Sequence, residues 1–332
     1  MNKKPYEKAN VKIKNSMATI EGVIDSETLE SYKTLTLENM KKNLEIPGFR
    51  KGNAPDQMVV NAMGEGRILE ETANLALRNA YPRIIEDNHI ETLSMPHIRV
   101  TKLAWGNSLE FRIEVAVMPE YSLPNYRKIA KGIMAKKETQ QVTEEEIHDV
   151  IKEIQKMRGK ETMGNLTDDT VKELGNFKNL EELKEKIRQN LLGEKELAAQ
   201  RKIREDIIAA IAKEVSMTLP SVIVEGELQR TEDRLERELQ KRNMKREEYF
   251  QGIKKTEEVF WKEEESTIKE HVKNRLILKR VAQKENVEAD EKQVEHELSH
   301  LKSHYPDADE NRLREYVEEI LINEEVFKRL EQ

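Results

Sequence analysis

Residues 46–55 read Ile46-Pro47-Gly48-Phe49-Arg50-Lys51-Gly52-Asn53-Ala54-Pro55. Two prolines and two glycines bracket one aromatic ring, one guanidinium and one ammonium, a composition that builds an ordered turn with a constrained tip. Arg suits forked contacts with phosphate or carboxylate, Lys suits point-charge contacts, and Phe suits an apolar pocket or a stacked base. Phe49, Arg50 and Lys51 are therefore the candidate docking residues, with Pro47, Gly48, Gly52 and Pro55 shaping the turn. Such a tip fits a ribonucleoprotein surface.

The residues around the turn predict an α+β domain. Leu29, Leu37, Met40 and Leu44 mark an amphipathic helix before it, started by a Ser26 cap, and Leu69, Ala73, Leu77, Ala80 and Ile84 mark another after it. Pro82 should kink or shorten the second helix. Period-2 alternation at 11–14 and 109–117, with 98–103 as a third run, predicts strands of one antiparallel sheet covered on one face by the helices.

The composition changes near Pro119. The first 118 residues are balanced in charge, so the whole net charge of −7 lies in the remainder. Charged residues reach 36% of the 332-residue chain against 37% hydrophobic, with a mean hydropathy of −0.79, so any core must be thin. The low net charge and periodic apolar stripes still argue for folding rather than disorder. Residues 121–141, with Pro124 and Gly132, read as extended. Beyond them narrow apolar stripes recur at spacings of three, four and seven: 147–154, 183–191, 203–215, 224–239, 268–276, 294–305 and 313–327. They predict charged helices, with Pro220 just inside one start and Pro306 between two helices. The expected partition is an α+β domain over 1–119, an extended linker over 120–142 and an elongated all-helical domain over 143–332.

The Pro-Gly-Phe-Arg-Lys-Gly-x-x-Pro loop between helices resembles the ribosome-docking signature of bacterial trigger factor. The order strand, strand, helix, loop, helix, long helix and two closing strands, ending at Val117-Met118-Pro119-Glu120, is similar to that family's N-terminal domain. Residues 166–332 resemble its helical chaperone domain with arms, notably at Leu174-Gly175-Asn176-Phe177 and Leu219-Pro220-Ser221. The resemblance implies a chaperone that needs no ATP and no cofactor. Its implied partners are the large ribosomal subunit beside the exit tunnel, through a ribosomal protein with rRNA as a further candidate contact, and nascent or unfolded polypeptides. It leaves a homodimer open. The family's prolyl isomerase domain of the FKBP type needs on the order of a hundred residues. Only 158–164 lie where it would be inserted, and no aromatic residue occurs from Arg127 to Gly175, so the isomerase is expected to be deleted and the chain not to be an enzyme.

Other functions find less support. With no Cys there is no disulfide framework, thiol nucleophile or thiolate zinc site. The longest nearly apolar run, 207–212, is too short to span a bilayer, so a cytoplasmic protein with no membrane partner is expected. His296-Glu297-Leu298-Ser299-His300 matches H-E-x-x-H, the pattern of a zinc metalloprotease, and His304 extends the row. Helical geometry places Val294, Leu298, Leu301 and Tyr305 on one face and the three histidines roughly opposite, toward water, where a hydrolytic zinc lacks a cleft. A zinc hydrolase and a non-catalytic helical scaffold are the alternatives to a chaperone.

Overall fold

The computed structural model describes residues 4–47, 49–157, 171 and 177–332. Gly48, the interval 158–164 and the run 174–176 of the resemblance lie outside the described residues. The chain forms two compact units, Met1–Tyr121 with Met217–Leu276, and Ser122–Ser216 with Ile277–Gln332.

The first unit holds a four-stranded antiparallel sheet of β1 (Lys8–Lys14), β2 (Met17–Ile24), β3 (His97–Lys102) and β4 (Leu109–Ala116), in the order β1-β2-β4-β3. Asn15 and Ser16, both at positive φ, make the two-residue turn of the β1–β2 hairpin. On one face Ile20, Ile24, Leu109, Phe111 and Ile113 pack with α1 (Ser26–Asn43) and α3 (Glu65–Asp87). Alanines 73, 76 and 80 of α3 are buried in this core, where short side chains let a helix lie close to a sheet. Gly22 stands opposite Phe111 in the ladder, and a Cβ there would lie 2.3 Å from the phenyl ring, so the glycine makes room for the aromatic side chain. A short helix, α2 (Asp56–Met63), precedes α3.

Two local expectations change. Asp25, not Ser26, caps α1, its carboxylate accepting from Thr28 N at 2.8 Å, because Ser26 already has helical backbone. Pro82 does not shorten α3, which continues to Asp87.

The other end of the sheet is covered by helices distant in sequence. Ala116 and Met118 are buried with Ile223 and Val224 of α7 (Ser221–Arg242) and with Ile268, Val272 and Leu276 of α9 (Glu257–Glu285). Pro220 is the N-cap of α7 rather than its first residue. α8 (Arg246–Gly252) joins these two helices at their far end, where Leu235, Leu239 and Phe250 form a separate cluster with Tyr249, Phe260 and Trp261 in edge-on ring contacts. Packing is thus not contiguous in sequence: residues 217–276 join the sheet, although the helical stripes predict a separate domain from 143 onward.

The second unit is helical among its described residues. It comprises α4 (Tyr126–Met134), α5 (Glu144–Met157), α6 (Leu180–Glu214), the last turns of α9, α10 (Glu291–His304) and α11 (Glu310–Leu330). Ile147 and Ile151 pack with Val171, Leu183 and Ile187. The stripes at 183–191 and 203–215 belong to one 35-residue helix, α6.

α4 corrects the expectation of an extended 120–142. Pro124 lies ahead of the N-cap, Asn125 caps Lys128 N, and Tyr126 and Ala130 are buried. Glu285 fixes this helix: its Oε1 accepts from Tyr126 OH at 2.6 Å and Arg127 Nε at 3.0 Å, and its Oε2 accepts from Arg127 Nη2 at 2.5 Å. The Glu285 side chain is only 8% exposed. The hydrogen bonds from Arg127 and then from Tyr126 hold its carboxyl below the ordinary glutamate range. A lowered folded pKa stabilises the fold fully above the ordinary value near 4.5 and loses that contribution as pH falls through the folded value. Glu285→Gln should therefore flatten the loss of stability in urea titrations between about pH 6 and about pH 3. An identical slope in parent and variant would show that Glu285 is not a source of that dependence.

Candidate functional site

The loop is held at its ends and open at its tip. α1 runs to Asn43, and the chain then turns so that Ile46 is buried in a cluster with Leu37, Ala54, Val59 and Ile68, flanked by Met40, Leu44, Val60, Met63 and Trp105. Ile46 and Ala54 are thus apolar anchors on either side of the tip. Phe49 N donates to Ile46 O at 3.1 Å and closes a first turn; Asn53 N donates to Arg50 O at 3.0 Å and closes a second. Gly52 occupies the third position of the second turn with φ +90°, a conformation that favours glycine.

Lys41 serves both ends. Its carbonyl accepts from Gly52 N at 3.0 Å, tying the tip back to α1, and its ammonium pairs with the Asp56 carboxylate in the first turn of α2. An acidic residue there also suits the positive end of the helix. Pro55 is the N-cap of α2.

Phe49 is 41% exposed, a high value for an aromatic side chain in a chain with so few. Arg50 and Lys51 are exposed, and among the described residues neither has a carboxylate partner. Pro47 is exposed beside them. The tip therefore presents one ring and two uncompensated cations on a backbone closed by three hydrogen bonds. It can recognise a surface that combines an apolar recess with carboxylates or phosphates.

Beside the loop, a cleft of about 480 Å³ between α1 and α3 shares Met40, Leu44 and Met63 with the anchoring cluster. Arg67 and Arg78 of α3 and Asn39 and Asn43 of α1 also line it. The anchors, Lys41 and this cleft escape a reading of the loop alone. Ile46 and Ala54, the only aliphatic side chains in the ten-residue motif, carried the available signal.

The histidine row lies elsewhere, on α10. Val294 and Leu298 are buried and His296, His300 and His304 are exposed, as the helical geometry predicts; Tyr305 departs from it, being 60% exposed at the C-cap. Among the described residues no group of three or more His, Cys, Asp or Glu side chains is arranged to hold a metal ion. Glu297 sits 3.3 Å from His296 Nδ1 on this open face, without the enclosed water site a zinc hydrolase uses.

A family model described as bacterial trigger factor protein matches residues 7–154, and one for the trigger factor C-terminus matches residues 179–330. The trigger factor of Clostridium kluyveri is 22% identical in an alignment covering 96% of this chain and 97% of the relative. That of Caldicellulosiruptor bescii is 24% identical, covering 87% and 86%. The Clostridium kluyveri alignment runs over 421 positions against the 332 residues here, so about a hundred positions of the relative face a gap. The two family models leave only residues 155–178 between them. A solved structure, described for promiscuous substrate recognition in folding and assembly activities of the trigger factor chaperone, aligns over 98% of this chain and 99% of that one. Its TM-score is 0.53 and its identity 15%, a likeness of fold.

The loop geometry makes Gly52 the sensitive point. Forcing a β-branched residue to φ +90° costs on the order of 1–2 kcal/mol, so Gly52→Val should speed hydrogen exchange of the amides at 52 and 53 by roughly tenfold. Gly52→Asn should have a smaller effect, since Asn tolerates positive φ. Unchanged protection in Gly52→Val would mean that the tip is not closed as described.

Proposed function

The chain belongs to the bacterial trigger factor family, and from that premise we propose a ribosome-tethered folding chaperone that works without nucleotide and without the family's isomerase. The observation that carries the docking part is the anchored loop with Phe49, Arg50 and Lys51 turned outward. The proposed target is the large ribosomal subunit beside the exit tunnel, where both protein carboxylates and rRNA phosphates are available to the two cations. The site of action is then the cytoplasm, in keeping with the finding that no described helix is long and apolar enough to cross a membrane.

Tethering raises the local concentration of chaperone around an emerging chain, so weak contacts suffice. Exposed apolar side chains on the helices, among them Leu197, Val259, Tyr316 and Ile320, stand among charges and suit such contacts. In this reading residues 1–119 dock, 120–142 link, and the helices of 143–332 hold unfolded segments. The division is one of labour, since residues 217–276 pack with the sheet. The short interval between the two matched regions, and the hundred or so positions of the relative that face a gap, support loss of the isomerase.

Replacing Phe49, Arg50 and Lys51 together with Ala should weaken co-sedimentation with ribosomes at least about tenfold while leaving helix content and melting temperature unchanged. Undiminished binding of the folded triple variant would remove this loop as the docking site. For the missing isomerase, the purified chain should leave the cis-to-trans rate of an X-Pro peptide at its uncatalysed value of tens of seconds or longer. Acceleration proportional to protein concentration would contradict the deletion.

A further inference from the structure

We propose that the C-terminal turns of α10 form a surface site for a divalent transition-metal ion of the Ni²⁺, Cu²⁺ and Zn²⁺ class, chelated by the Nε2 atoms of His300 and His304. The two residues are one helical turn apart on a water-facing surface, and their rings lie 4.8 Å apart between centroids. Metal–imidazole bonds of about 2.0–2.1 Å place two nitrogens within reach of one ion when side chains at i and i+4 converge. Water completes the coordination.

The hydrogen bonds around His304 prepare it as a ligand. Its Nδ1 lies 3.1 Å from the His300 carbonyl oxygen and 3.1 Å from Ser303 Oγ. The Ser303 hydroxyl donates its own proton to that same carbonyl at 2.7 Å, so Oγ faces Nδ1 as an acceptor. A carbonyl only accepts. Both contacts therefore place the imidazole proton on Nδ1, leaving the Nε2 lone pair toward solvent. Metal-bound histidines are oriented by this kind of bond from the other ring nitrogen to a carbonyl. The His300 ring has no hydrogen bond of its own among the described residues and is free to turn toward an ion.

The local charge also favours a cation. His304 is the last residue of α10, at the negative end of the helix. The nearby cations are neutralised: Lys302 pairs with Glu310, and Arg314 with Glu291 and Glu295. A donor set of two imidazoles selects against Mg²⁺ and Ca²⁺, which require oxygen ligands, and should rank Cu²⁺ above Ni²⁺ and Zn²⁺. His296 belongs to a different turn, with Nδ1 beside Glu297, and cannot join the same ion. The site differs from the protease reading of His296 to His300: it uses the other pair and involves no catalysis.

The test is a titration of the untagged full-length chain with Ni²⁺, and separately Zn²⁺, in competition with a chromophoric chelator. One equivalent should bind, Mg²⁺ in large excess should not displace it, and His300→Gln and His304→Gln should each weaken binding by about tenfold or more. His296→Gln should stay within about twofold of the parent. All three positions are exposed, and equal helix content by circular dichroism confirms that the variants are folded. Equal affinity in the His300→Gln/His304→Gln double variant, or a loss in His296→Gln as large as in His304→Gln, would overturn the assignment.

Discussion

Burial of Ile46 and Ala54 beneath the loop is the constraint on which the candidate site depends. A tip rich in glycine and proline, with exposed charges, gains little by ordering itself, because loop residues lose backbone entropy of about 1–2 kcal/mol each. Here the two anchors enter a shared apolar cluster with Leu37, Val59 and Ile68, while Lys41 binds the tip through its carbonyl and α2 through its ammonium. The sheet core behind α1 and α3 holds those helices in place. Order at the tip is thus inherited from packing several residues away.

Elsewhere the chain is built from thin, separate cores. Apart from the sheet core around Phe111, the clusters around Ile147, Leu276 and Phe250 are each small, and the helices between them are laced with ion pairs such as Arg188 to Glu185 and Arg246 to Glu232, Glu236 and Glu257. Exposed pairs of this kind contribute little to stability individually. Their use is to keep long helices solvated while isolated apolar side chains remain accessible, which suits weak and unselective contact with unfolded segments. A larger continuous core would bury the side chains that such contact needs.

The sequence made β1, β3 and β4 legible through alternation, and the loop through its residue types. β2 is harder to see: Ala18, Ile20 and Ile24 face the helices while Met17 contributes to the opposite cluster, so apolar residues fall on both faces and the period of two blurs. α4 was hidden by Pro124 and Gly132, which a local rule reads as breakers; its stability comes from Glu285, about 160 residues away. The same limit explains the partition, since packing of Ala116 against Ile223 and Leu276 has no local signature. The loop tip was legible from its residue types, whereas Lys41 and the two anchors act through contacts that spacing does not encode.

The docking claim is tested most directly by placing a photo-crosslinking phenylalanine analogue at position 49 of the full-length chain and irradiating it with translating ribosomes. The account predicts crosslinks to a component of the large subunit beside the exit tunnel, and none from the same group at Met95, which is 83% exposed in the same unit. Ribosomal crosslinks from position 95 and none from position 49 would contradict it.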